Sequence, residues 1–203
     1  MILEKIVVGD LSTNCYIIGD NAGLAIIDSG GDAPQILGAL KKLKPVTGNP
    51  SPVTAIFLTH NHPDHIGAVG EMASGLKCPI YMHSFDSDWL KEMLGSKYPG
   101  LHNMEDREIL KVGGISLKVL HTPGHTKGSV CFYCQKEAVL LSGDTLFAGG
   151  IGRTDLPGGS DEEMVASLKK LMLLPDDTVV YPGHNGKTII AKERGILKTM
   201  GIL

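Results

Sequence analysis

At 203 residues, with 42% hydrophobic and 20% charged side chains, the chain has the make-up of a soluble globular protein that can bury a substantial core. A formal net charge of −3 offers no basic surface to nucleic acid or to a membrane. The opening residues, Met1-Ile2-Leu3-Glu4-Lys5-Ile6-Val7-Val8, lack the basic region and long apolar core of a signal peptide. No apolar run approaches the ~20 residues that span a bilayer, so a cytoplasmic protein is expected.

Residues 6–9 and 15–19 read as strands on either side of a polar turn at 10–14. After the turn signal Asn21-Ala22-Gly23, a third strand at 24–28 ends in Asp28-Ser29-Gly30-Gly31, a carboxylate at a strand terminus followed by a glycine turn. Ile36, Leu37, Leu40 and Leu43 have helical spacing behind Pro34, and residues 44–52 read as a loop. Residues 53–58 form a short, apolar, β-rich run of buried-strand type. Ile66, Val69, Ala73 and Leu76 then predict one helix, with Asp64 placed to cap it. A strand at 79–83, a helix at 85–94 and a loop at 95–103 follow.

In the second half, residues 109–112 and 115–120 form a hairpin around Gly113-Gly114, and 129–134 and 138–142 a further strand pair. An amphipathic helix at 161–174 turns Met164, Leu168, Leu171 and Met172 inward and opens on a Ser160 cap. Residues 178–181 read as the last strand, and the tail from Gly186 as partly helical. Two runs of strands, each followed by helices, predict two stacked sheets with helices outside, an α/β fold in one domain over residues 1–203.

The chemistry concentrates where the strand at 53–58 turns into a helix, in Thr59-His60-Asn61-His62-Pro63-Asp64-His65. In extended chain His60 and His62 project to the same side, while Asp64 and His65 fall in the turn, suiting two ligands for one metal and two for a second. Three further ligand-type residues follow apolar strands in glycine turns: His125, Asp144 and His184. Together these are seven nitrogen and oxygen ligands, the number two metals need if one carboxylate is shared. Asp28 reads either as a residue that orients a ligand or water, or as a turn cap. Of the four cysteines, Cys131 and Cys134 have Cys-x-x-Cys spacing, but in a strand they face opposite ways, which predicts packed thiols rather than a chelate or disulfide. His83, His102 and His121 read as structural or surface residues, with Tyr98 and His102 weaker pocket candidates. Neither a phosphate-binding loop nor a Gly-x-Ser-x-Gly nucleophile motif is present.

The set Thr59-His60-x-His62-x-Asp64-His65, Gly124-His125-Thr126, Gly143-Asp144 and Gly183-His184, with Asp28-Ser29-Gly30, resembles the signature of the metallo-β-lactamase superfamily. That resemblance implies a four-layer αββα sandwich. It also implies two divalent metals, zinc first, with iron or manganese admitted: one on His60, His62, His125 and Asp144, the other on Asp64, His65, His184 and the shared Asp144. Thr122-Pro123-Gly124-His125-Thr126, Gly128-Ser129 and Ser142-Gly143-Asp144-Thr145-Leu146-Phe147 are similar to the glyoxalase II group of hydroxyacylglutathione hydrolases, and Gly150-Ile151-Gly152-Arg153 to its short bacterial branch. The resemblance implies thioester hydrolysis by a metal-bridging hydroxide, with Asp64 and Asp28 serving the reaction and Arg153 meeting a substrate carboxylate. Two features depart from the longer enzymes: no C-terminal helical domain is expected, and Gly186 stands where they carry an aromatic residue. Competing expectations are an iron persulfide dioxygenase using one metal on His60, His125 and Asp144, a lactonase, and a metal-binding module without activity. The expected partner is a small-molecule thioester.

Overall fold

A computed structural model describes residues 1–43, 51–95 and 100–203. The first half alternates strands and helices: β1 (Ile2–Val8), β2 (Thr13–Asp20), β3 (Gly23–Ile27), α1 (Ala33–Lys42), β4 (Val53–Phe57), α2 (Pro63–Ile66), α3 (Val69–Leu76), β5 (Ile80–His83), α4 (Ser87–Leu94) and β6 (Leu101–Met104). The second half carries β7 (Ile109–Val112), β8 (Ile115–His121), β9 (Val130–Cys134), β10 (Val139–Gly143), the two-residue strands β11 (Leu146–Phe147) and β12 (Gly150–Ile151), α5 (Asp161–Leu171), β13 (Val179–Pro182), β14 (Thr188–Ile189) and α6 (Ile190–Thr199). Among the described residues, no helix is long and apolar enough to cross a membrane.

The strands form two six-stranded sheets, ordered β1-β2-β3-β4-β5-β6 and β14-β13-β10-β9-β8-β7. Three separate apolar clusters make this a four-layer αββα sandwich. Ile17, Ile26 and Ile56 pack the first sheet against Ile36 of α1 and Met72 of α3. Ile18, Ile27, Phe57 and Phe132 fill the space between the sheets. Cys131, Leu140 and Val180 pack the second sheet against Met164 and Leu168 of α5 and Leu197 of α6. Neighbouring residues such as Ile17 and Ile18 enter different clusters because strand side chains alternate and both faces are covered. Cys131 and Cys134 separate the same way, one into the helix-side core and one into the inter-sheet core, and all four cysteines are buried.

Three expectations need correction. The helix expected from Ile66 to Leu76 is broken into α2 and α3, and Asp64 does not cap it: the N-cap position is His62, without a side-chain cap bond. The region expected to be a loop at 95–103 contributes β6, which pairs in parallel with β5 and closes that sheet edge. A short strand, β14, follows the strand expected to be last and pairs with β13. Residues 44–50 of the loop expected at 44–52 lie outside the described residues, as does Tyr98. The Ser160 cap is present, its hydroxyl accepting from the Glu163 amide at 3.3 Å.

Chain direction gathers the site at one edge. β3 and β4 run parallel and so end together. In the other sheet β8 and β10 are each antiparallel to β9, and β10 is parallel to β13, so these three also end together. Two backbone bonds tie the sheets at that edge, Val130 N to Thr59 O at 2.9 Å and Asn14 N to Gly183 O at 2.7 Å. Phe132 is fully buried between the sheets, its ring 5.7 Å from that of Phe57. Phe132→Ala is expected to cost about 3–5 kcal/mol in denaturant unfolding, whereas Phe85→Ala, at a 67% exposed position, stays within about 0.5 kcal/mol. Equal losses would contradict this assignment of the core.

Candidate metal centre

The residue after β3 is Asp28, the turn after β4 carries His60, His62, Asp64 and His65, and the turns after β8, β10 and β13 carry His125, Asp144 and His184. The structure brings all seven expected ligands together. Their ligand atoms form three overlapping groups, His60–His62–His125, His60–His65–Asp144 and Asp64–His65–His184, each within 4.8 Å. Asp144 lies between the outer two. Its Oδ1 is 3.4 Å from His65 Nε2, while Oδ2 is 3.6 Å from His125 Nε2 and 3.5 Å from His184 Nε2. Asp64 Oδ2 is 3.3 Å from His184 Nε2 and 3.5 Å from His65 Nε2.

Bonds behind the ligands fix which nitrogen faces inward. His65 Nδ1 donates to Asp28 Oδ2 at 2.9 Å, and His125 Nδ1 donates to the Arg153 carbonyl at 2.7 Å. The Thr59 hydroxyl donates to Asp28 Oδ2 at 2.7 Å and so accepts from His60 Nδ1 at 3.0 Å. Each of these imidazoles therefore turns Nε2 to the centre, the nitrogen that would bind a metal once it carries no proton. Buried His65 Nε2, His125 Nε2 and Asp144 Oδ1 have no hydrogen-bond partner among the described residues. Buried polar atoms ordinarily have one, and a divalent cation among them would supply it. With imidazole and carboxylate donors only, the residues fit zinc, iron or manganese.

Electrostatics divide the centre. Burial and the neighbouring imidazoles hold His60 well below the usual range and bring His62 to about 4, so neither competes for a proton. Burial also disfavours the His65 cation, but Asp28 and Asp144 outweigh it and lift the group to about 10. Hydrogen bonds to Asp144 and Asp64 raise His184 to about 9. Burial would push Asp64 up, yet His184, His65 and the Thr13 hydroxyl bring it to about 2. Asp144, likewise buried, is held below the carboxylate range by His184 and His65.

Glycines set the spacing. A Cβ on Gly183 would strike Asp144 Oδ1 and His65 Cε1, so only glycine lets the strand after β13 pass that close. Gly143 holds φ +48°, and a Cβ there would press on Thr59.

Arg153 was expected to meet substrate through its guanidinium. Its carbonyl orients His125, while the guanidinium forks onto Asp155 with both contacts at 2.7 Å. His83 and His121 stack on each other with ring centroids 4.1 Å apart, and His102 stacks on Tyr81; none joins the metal-type groups. Three supporting residues escape the sequence reading. Thr13 donates its hydroxyl to Asp64 at 2.8 Å. Asn14 ties its amide to the Pro182 and Asn185 carbonyls. Buried Asp86 accepts from the Asn61 amide, the Thr126 hydroxyl and the Gly128 amide, joining the His60 turn to the His125 turn. Only the polar stretch at 10–14 signalled Thr13 and Asn14; Asp86, inside an expected helix, carried no local signal.

Residues 8–184 match the family model described as Metallo-beta-lactamase superfamily. The chain is 35% identical to the hydroxyacylglutathione hydrolase GloC of Haemophilus influenzae, across 96% of this chain and 95% of that one. It is similar to the BLEG-1 B3 metallo-beta-lactamase structure at 36% identity and TM-score 0.83, covering 96% and 97% of the two chains. It is similar also to TTHA1623, crystallised in a di-iron-bound form, at 34% identity and TM-score 0.77, covering 94% and 96%.

Because His65 and His184 hold protons that a metal must displace, loading the Asp64–His65–His184 group at pH 7.5 should release about two protons. Affinity there should fall as pH drops from about 9, whereas His60 and His62, already neutral, give the other group little dependence. Calorimetric metal titration in buffers of different ionisation enthalpy measures this; equal proton release for both ions would refute it.

Proposed function

The chain belongs to the metallo-β-lactamase superfamily, and from that premise we propose that it is a binuclear metal-dependent hydrolase of thioesters, similar in chemistry to hydroxyacylglutathione hydrolases. The observation that carries this reading is the position of Asp144 between two three-residue ligand groups, with one oxygen toward His65 and the other toward His125 and His184. One ion would be held by His60, His62 and His125, the other by Asp64, His65 and His184, with Asp144 serving both. The assignment is zinc, with iron the alternative that a di-iron relative supports. A thioester resists water at neutral pH because water is a poor nucleophile and the oxyanion is unstabilised. Divalent ions held there would supply both remedies, bringing the pKa of a bound water toward ~7 and polarising the carbonyl.

The chain's own residues do the positioning. Asp64, steadied by Thr13 and His184, orients the attacking water. Asp28 holds His65 directly and His60 through Thr59, keeping both Nε2 atoms turned to the centre. The Arg153 carbonyl does the same for His125. The thioester preference draws on the motif resemblance around His125 and Asp144 and on the relative named hydroxyacylglutathione hydrolase. Likeness to a B3 β-lactamase makes β-lactam hydrolysis the second reading, because the same centre can serve another acyl carbon.

Asp144→Ala is expected to lower metal content at both sites and to reduce kcat/KM by more than the roughly 10–100-fold typical of outer supporting residues. Wild-type stoichiometry by elemental analysis would reject the shared carboxylate. His184→Ala should keep one ion on His60, His62 and His125 yet lose hydrolysis. Full activity with one metal would favour a mononuclear enzyme. A panel of thioesters, lactones and β-lactams, with oxygen uptake followed in parallel, separates the remaining readings.

A further inference from the structure

Two grooves flank the ligand cluster, and their chemistry differs. On the His62 side, Asn61, His62, Pro63, Trp89, Leu156 and Pro157 line a groove of about 310 Å³. Its walls beyond Asn61 and His62 are apolar, and Trp89 of α4 stands 44% exposed. A large ring left half in water beside a metal centre is an unfilled apolar contact. On the His184 side, a groove of about 270 Å³ is lined by Lys5, Asn14, His184 and Asn185 together with the apolar Val7 and Leu11. Gly186 leaves that wall open, since a Cβ there would meet nothing within 4 Å.

Arg153 and Lys5 are not equivalent as cations. Arg153 is matched by Asp155 through a two-pronged contact, which neutralises its charge within its own loop. Lys5 has the Asn185 carbonyl, 3.4 Å away, as its only polar contact among the described residues, and no carboxylate partner. β1 presents it beside Tyr16, the residue opposite in β2, so it stands at the open edge of the sandwich.

We propose that the substrate lies across the centre, with its acyl chain along Trp89, Leu156 and Pro157 and the carboxylates of its thiol carrier against Lys5. This deepens the thioester reading and rests on it. The orientation follows from matching chemistry: an acyl chain is hydrocarbon and suits the apolar wall, whereas a carboxylate-bearing thiol is anionic and suits the unpaired ammonium. Arg153 then contributes through its carbonyl rather than its charge.

Trp89 is the one tryptophan in the sequence, so its emission reports the apolar groove without turnover. S-methylglutathione and S-hexylglutathione, thioethers that cannot be hydrolysed, are titrated into the metal-loaded protein. S-hexylglutathione should shift Trp89 emission to shorter wavelength and bind about tenfold more tightly than the methyl compound. By calorimetry, Trp89→Ala should remove that chain-length preference. Lys5→Ala should weaken both thioethers alike, about three- to fivefold and less at high salt, while Arg153→Ala changes binding little. For thioesters these effects should appear in KM, with kcat within about twofold. Both side chains are exposed, and circular dichroism checks that the variants fold. Thioester turnover with unchanged Trp89 emission and with KM indifferent to both variants would overturn this inference and leave the hydrolase reading intact. Loss of hexyl preference in Lys5→Ala instead of Trp89→Ala would overturn the orientation. The predicted thioether pattern without hydrolysis of any thioester would uphold the grooves and reject the reaction; neither binding nor turnover would reject both.

Discussion

Asp28 is the constraint on which the centre depends. It sits just past β3 with 2% of its surface exposed, and its oxygens accept from the Thr59 amide at 2.8 Å, the Thr59 hydroxyl at 2.7 Å and His65 Nδ1 at 2.9 Å. Through Thr59 it also reaches His60. One carboxylate therefore holds a histidine from each of the two outer ligand groups. Burying it without those partners would cost several kcal/mol. Its backbone is left-handed at φ 56°, a conformation that costs an L-residue roughly 1–2 kcal/mol and is offset here by three hydrogen bonds to a charged-type acceptor. The next turn is equally tight, since a Cβ on Gly30 would collide with the Asp64 carbonyl. The ends of β3 and β4 and the start of α2 thus behave as one rigid unit.

That rigidity has an electrostatic counterpart. The carboxylates of Asp28, Asp64 and Asp144 draw protons onto His65 and His184, while His60 and His62, buried among other imidazoles, refuse them. The field that favours a proton on one side of the centre favours a divalent ion there as well. The other side offers lone pairs with no proton to displace. Metal ions bound in such surroundings would be held unequally.

Topology makes this asymmetry available to a substrate. The cluster lies at the shared edge of two sheets, so one flank is built by α4 and the loop after β12, and the other by β1 and the turn after β13. The first flank is apolar around Trp89 and the second carries Lys5. A long molecule crossing the edge meets hydrocarbon first and positive charge last.

Much of this was legible in the chain. Short apolar runs marked most strands, and two runs of strands, each followed by helices, pointed to two stacked sheets with helices outside. The seven ligand-type residues stood out because each follows an apolar run in a turn, and Asp28 because it ends a strand before glycines. Local pattern failed where pairing decides structure: β6 and β14 are short, and only their neighbours β5 and β13 make them strands. It failed at Asp64 too, where a residue suited to capping is pulled away from its helix by Thr13, His65 and His184. By itself the sequence determined the fold class and which side chains have ligand-type chemistry, because periodicity and residue chemistry are local. Only the tertiary structure decided that Asp144 stands between the two groups, that Arg153 is tied to Asp155 and that Lys5 and Trp89 flank the centre, because those relations join strands from opposite sheets and no spacing along one chain encodes them.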